Sequence, residues 1–188
     1  MYLVLVFAPL IGSFLAGFFG RILGRVGSIL ISCLWVCISC VLSYVVFYEV
    51  NLSVCPVYLD AFSWVSASSL QVSWSFLYDG LTCVMCVVVT TVSMLVHIYS
   101  IDYMRGDPHG PRFFSYLSLF TFFMLLLVTS GNLVQMFVGW EGVGVCSYLL
   151  INFWFTRIRA NKAALKAIIV NRVGDLGVVL GMVWSVVV

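Results

Sequence analysis

Five side chains in this 188-residue sequence could move or bias a proton in a setting otherwise poor in polar groups: Glu141, Arg172, Asp175, Lys166 and His97. Glu141 stands within 134-VQMFVGWEGVGVCSYLLINFWF-155, where almost every neighbour is apolar. If that run is a helix spanning a bilayer, the carboxylate lies roughly 12 Å along it at about 1.5 Å per residue. In a hydrocarbon layer about 30 Å thick, that is between the headgroups and the midplane. Inserting an acid there costs about 2.5–3.5 kcal/mol, so such a residue faces a bundle interior or water. Gly139, Gly142 and Gly144 flank it and leave room for a close helix or a chain of waters. Two chemistries fit. Desolvation favours the neutral acid and a nearby cation favours the anion, so a carboxyl held between them can carry protons. The plainer alternative is a polar clamp that fixes helix packing.

A second group of charges follows in 166-KAIIVNRVGDLG-177. Arg172 and Asp175 are spaced i, i+3, on one helix face and within reach of each other. They are either a self-neutralised ion pair that makes insertion tolerable or a charge pair that biases neighbouring proton carriers. Lys162 and Lys166 lie a turn apart near the start of the same run and can extend to the interface. His97 stands near the end of 80-GLTCVMCVVVTTVSMLVHIYS-100, and is read as a proton relay or as a buried packing residue. His109 falls in the turn 107-DPHGPR-112 and is assigned no chemistry.

Cysteines offer two further spacings. Cys33, Cys37 and Cys40 give C-x3-C-x2-C, and Cys83 and Cys86 give C-x2-C. Both fall inside apolar runs where a helix, rather than a ligand loop, holds them. The expectation is packing, as for small hydrophobes, with no metal or cluster.

The elements that position these residues follow from composition. Hydrophobic residues are 63% of the chain and charged residues 9%, against roughly half and a quarter in soluble domains. Such a chain cannot clothe itself in polar surface, and a net charge of +2 without a basic stripe excludes nucleic acid as a partner. The expected fold is all-α: a polytopic transmembrane bundle, one domain over residues 1–188. Its expected spans are about 2–20, 28–47, 80–100, 113–130, 133–154 and 164–187. Residues 48–79 are expected to form a long interfacial loop, either an amphipathic segment lying on the membrane or an ordered cover over the bundle. Residues 1–20 lack a preceding basic segment and a cleavage site, so they are expected to stay as a permanent helix. Lys and Arg in successive loops number 2, 0, 2, 0 and 4. That alternation puts the odd loops on the cytoplasmic or matrix side and both termini opposite.

On the stretches 113-FFSYLSLFTFFMLLLVTSGNLVQMFVGWEGVGVCSYLLINFWF-155 and 163-AALKAIIVNRVGD-175, the sequence closely resembles the antiporter-like subunit 5 family of mitochondrial NADH:ubiquinone oxidoreductase. MYLVLVFAPLIGSFLAGFFGR and 95-LVHIYSIDYMRGDPHGPRFF-114 fit the same family. The resemblance implies a proton-translocating membrane-arm subunit of respiratory complex I in the mitochondrial inner membrane. Odd loops would face the matrix, and the termini the intermembrane space. It assigns Glu141 as proton carrier and Arg172 with Asp175 as an intramembrane coupling pair. Lys166 matches a recurrent basic position. NADH, FMN, iron–sulfur clusters and ubiquinone would be bound by other subunits, leaving no cofactor on this chain. Partners would be the neighbouring antiporter-like subunit, other membrane-arm subunits and lipid.

Members of that family are roughly three times longer, with a broken helix whose lysine pairs with the glutamate. The expectation is therefore an N-terminal fragment whose Glu141 receives its cation from another chain, Arg172 being taken up by Asp175. A multisubunit cation/proton antiporter subunit and a non-conducting scaffold subunit are the competing readings.

Overall fold

The computed structural model describes residues 1–53, 55–67 and 70–187. Its elements are α1 (Tyr2–Phe18), α2 (Gly20–Ser53), β1 (Val57–Ala67), β2 (Leu70–Tyr78), α3 (Gly80–Tyr103), α4 (Gly110–Val128), α5 (Leu133–Ile151) and α6 (Ile158–Val187). A single 3-10 turn, Asn152–Trp154, extends α5. Helices α2 to α6 are long and apolar enough to cross a bilayer, and α1 is a shorter apolar helix of 17 residues. The transmembrane bundle expected from composition is the architecture observed.

Packing follows from where small and polar residues are placed. Along α2 the buried positions are Ser28, Ile29, Ser32, Val36, Ser39, Cys40, Ser43, Val46 and Val50. That three-and-four spacing makes one continuous stripe, and its serines let neighbouring backbones approach. Pro9 lies inside α1. Having no N–H, it leaves the carbonyl four residues earlier without its helical donor. That carbonyl belongs to Leu5, and Ser39 Oγ donates to it from α2 at 2.7 Å. A backbone group with no water available is thus satisfied by a serine on the next helix. Ser43 and Thr90 similarly link α2 to α3 at 2.8 Å.

At the start of α2, Gly24 has φ 72° and ψ 177°, a conformation open to glycine and strained for other residues. It breaks the long helix into a short turn and a spanning segment. The next residue, Arg25, can then reach across to α3, where its guanidinium donates to the carbonyls of Met104 and Arg105. A cation thus closes the negative end of α3.

The expected loop at 48–79 is corrected. Residues up to Ser53 continue α2, and most of the remainder is an antiparallel hairpin whose register includes Tyr58↔Leu77 and Phe62↔Trp74. Residues 54, 68 and 69 of that loop lie outside the described residues. Alternation of apolar and polar residues in LQVSWSFLY, with β-branched and aromatic types, suits a strand whose inner face is buried. Val72, Phe76 and Tyr78 are buried and Ser75 joins them. The hairpin is pinned to the α4–α5 connection. Leu77 N–H donates to the Thr129 carbonyl at 2.9 Å, and Gly131 N–H to the Ser75 carbonyl at 3.0 Å. Asn132 Nδ2 donates to the Ser73 carbonyl at 2.7 Å, and Ser75 N–H to Gln135 Oε1 at 2.9 Å. Phe76 and Tyr78 enter one core with Leu5, Val46, Cys83 and Leu125. The segment is therefore an ordered cover over one end of the bundle. Asp79 then starts α3 with a capping box to Thr82.

The two ends of the bundle differ in charge. Arg25 joins the α3–α4 loop, and Phe113 meets Phe153 at 5.3 Å, so the α1–α2, α3–α4 and α5–α6 connections share one end. All the loop arginines belong to these three connections. The opposite end carries the hairpin with the α4–α5 connection.

Candidate functional site

α6 packs chiefly against α5. From Ala164 onward, its less exposed positions among the described residues are Ala164, Ala167, Ile168, Asn171, Asp175, Val178 and Met182, again spaced by three and four. This seam sets which polar groups of α6 meet α5. On α5, glycines set the approach on the other side. A Cβ on Gly139 would come within 2.8 Å of the Leu127 backbone, and one on Gly142 would overlap the Phe123 ring. The room left by these two glycines is thus filled by α4. Gly144 instead faces Asn171 of α6, whose amide is 3.4 Å from where a Cβ would sit.

Between α5 and α6 a cavity of about 160 Å³ is lined by Trp140, Glu141, Gly144, Asn171, Arg172 and Asp175 among others. Several waters fit in such a volume, and the polar lining gives them partners. Arg172 Nη1 lies 2.6 Å from Glu141 Oε1 and 3.7 Å from Asp175 Oδ2. Trp140 Nε1 donates to the other oxygen of Asp175 at 2.9 Å. Asp175 is 10% exposed, Glu141 27% and Arg172 58%. One guanidinium therefore serves two carboxylates. The deeper one is further fixed by the indole, and the cation reaches the surface of the chain.

The pairing expected from i, i+3 spacing is thus present as the longer contact, and the shorter one crosses between helices. Glu141 was expected to find no cation on its own chain. The structure supplies Arg172, one helix away, because Arg172 projects from the edge of the α6 seam toward α5. Trp140 and Asn171 were not singled out in the sequence. Trp140 adjoins Glu141 and its N–H needs an acceptor in an apolar run, which was the available signal. Asn171 carried only its polarity.

Lys166 is exposed on α6 and does not line the cavity. About six residues, or roughly 9 Å of helix, separate it from Arg172. His97 is placed elsewhere, between α3 and α4. It is 1% exposed. Its Nδ1 is 2.7 Å from the Ser93 carbonyl and its Nε2 is 3.1 Å from Ser118 Oγ. Ser93 Oγ in turn meets Thr121 Oγ1 at 2.6 Å. The ring thus has hydrogen-bond partners at both nitrogens, and none is a residue of the Glu141 cavity. The cysteines expected to pack lie along helices α2 (Cys33, Cys37 and Cys40) and α3 (Cys83 and Cys86).

Two family models match this chain. The family model described as NADH-ubiquinone oxidoreductase (complex I), chain 5 N-terminus matches residues 64–114. That described as NADH:quinone oxidoreductase/Mrp antiporter, TM, matches residues 130–187. NADH-ubiquinone oxidoreductase chain 5 of Arabidopsis thaliana is 58% identical over 182 residues, 97% of this chain and 27% of that protein. The chain 5 proteins of Marchantia polymorpha and Rhizopus stolonifer are 57% and 54% identical, over 97% and 99% of this chain and 27% and 28% of theirs. The chain therefore spans little more than a quarter of the length of these curated relatives. Among solved structures, a chain of an archaeal respiratory complex, the membrane-bound sulfane sulfur reductase, superposes with a TM-score of 0.79 at 17% identity. That match covers 93% of this chain and 34% of the other, and shows a shared fold.

Proposed function

The chain belongs to the NADH-ubiquinone oxidoreductase chain 5 family, matching the N-terminal portion of its members, and we propose that it forms part of a proton-translocating membrane-arm subunit of respiratory complex I. The observation that carries this reading is the sharing of Arg172 between Glu141 and Asp175 beside a cavity with room for water. In the position observed, Arg172 pairs with Glu141. When Arg172 moves onto Asp175, which Trp140 keeps in place, Glu141 loses its cation and takes up a proton from the cavity. The return of Arg172 favours release. Glu141 is thus the carrier, and Arg172 with Asp175 the pair that sets its state.

In this proposal NADH oxidation and ubiquinone reduction occur on other subunits, which hold the FMN and iron–sulfur clusters, and this chain handles protons alone. A second basic group, lying outside these residues, receives the proton from Glu141. The remaining surface of Arg172 and the largely exposed outer face of α6 suit contact with the neighbouring antiporter-like subunit. The end bearing the loop arginines faces the matrix, as the positive-inside rule places it.

Replacing Glu141 with Gln keeps shape and hydrogen bonding but removes ionisation. In vesicles reconstituted with the complex containing this chain, Glu141→Gln is expected to lower the proton-to-electron ratio while the complex still assembles. An unchanged ratio at normal turnover would leave Glu141 as a packing clamp.

A further inference from the structure

A cavity of about 680 Å³ opens at the basic end of the bundle, between the α1–α2 junction and the start of α4. Its wall includes Arg21, Arg25, Arg112, His109 and Tyr116, and its lining residues include no carboxylate. Two polar groups of this wall are already engaged. Arg25 holds the end of α3, and Ser115 Oγ donates to the Ser13 carbonyl at 2.8 Å. Arg21 and Arg112 make no ion pair among the described residues. The first turn of α4 belongs to the same wall, with a proline there and no side-chain cap. Its unpaired N–H groups therefore add to the positive potential. Two unpaired guanidinium groups and an open helix start, with no acid to balance them, repel one another until an anion arrives. Arginine forks match phosphate oxygens in number and geometry.

The rest of the surroundings narrows the class of anion. The cavity lies where the spans end, and Phe18 forms part of its wall. Below it α1 presents Phe14 and Phe18, 54% and 74% exposed, with ring centroids 4.5 Å apart. A free phosphate uses only the charged half of this surface. A phospholipid uses both halves, its phosphate on the arginines and its acyl chains along the α1 aromatics. Basic pockets between membrane helices are known to hold anionic headgroups in this way. We propose that this cavity binds the phosphate of an anionic phospholipid, with Arg21 and Arg112 as its ligands. This site is separate from the Glu141 cavity and does not depend on the proposed proton translocation.

The test uses the purified complex that contains this chain, in neutral detergent, with phosphatidylglycerol carrying a photoactivatable group near its headgroup. Labelling is expected on peptides spanning residues 17–25 or 108–116. Unlabelled phosphatidylglycerol should displace the probe, whereas phosphatidylcholine and inorganic phosphate should not. Each basic side chain near the surface contributes about fivefold to anionic-lipid affinity, so Arg21→Gln with Arg112→Gln should weaken labelling about 25-fold. Equal displacement by phosphatidylcholine would overturn the proposal, as would unchanged labelling in the double variant. Displacement by inorganic phosphate would overturn the assignment to lipid. If the double variant does not assemble, the displacement series on the unaltered complex decides the matter by itself.

Discussion

Arg172 approaches Glu141 to 2.6 Å across the α5–α6 interface, closer than it comes to Asp175, 3.7 Å away on its own helix. The interhelical contact is therefore the tighter one, and the helix-internal pair is its counterweight. A guanidinium placed between two acids can be drawn either way by a small shift of α6. In the proposed mechanism, proton occupancy at Glu141 depends on helix position.

The shared cation predicts an unusual rescue pattern. Arg172→Ala leaves two carboxylates facing each other without a cation, so removing Asp175 as well should restore little. Restoration needs Arg172→Ala combined with both Glu141→Gln and Asp175→Asn. Breaking a fully buried pair typically costs about 3–5 kcal/mol. With Arg172 58% exposed, screening reduces this to about 1–2 kcal/mol. The yield and thermal midpoint of the assembled complex measure it. Full recovery in the Arg172→Ala, Asp175→Ala double variant would show that Asp175 alone is the partner of Arg172.

Close packing of α5 on α4 makes a second prediction. A methyl group on Gly139 would lie 2.8 Å from the backbone of Leu127, and backbone cannot rotate away as a side chain can. Gly139→Ala should therefore displace α5 and cost about 1–3 kcal/mol, lowering the thermal midpoint of the complex. Proton-to-electron coupling should fall with it, since α5 carries Glu141 to Arg172. A variant with an unaltered midpoint would mean that α4 and α5 sit farther apart than described.

How much of this was legible in the sequence differs from element to element. The membrane helices were, because apolar runs of about 20 residues allow little else. The hairpin was not. Its apolar alternation in LQVSWSFLY has period two, but a stretch containing Asp60, several serines and exposed aromatics also fits an interfacial loop. Its pairing with β1 makes it a strand, and the backbone bonds with Thr129 and Gly131 pin it to the α4–α5 connection. Glu141, Arg172 and Asp175 stood out because a charge in an apolar run is costly and so must be used. Their pairing was not legible. Spacing within one helix reveals i, i+3 neighbours such as Arg172 and Asp175. It says nothing about which residue of α5 faces α6, which the glycine contacts of α5 with α4 determine. His97 shows the same limit, since its partners Ser93 and Ser118 sit on two helices.

In the proposed mechanism, the Glu141 carboxyl gains and loses a proton as Arg172 moves between two acids. Infrared difference spectra of the complex, recorded as NADH reduces it, report this directly through the carbonyl stretch of a protonated carboxylic acid. A band in the protonated-carboxyl region is expected that shifts in heavy water and disappears in Glu141→Gln. A difference spectrum identical in the unaltered complex and in Glu141→Gln would contradict it.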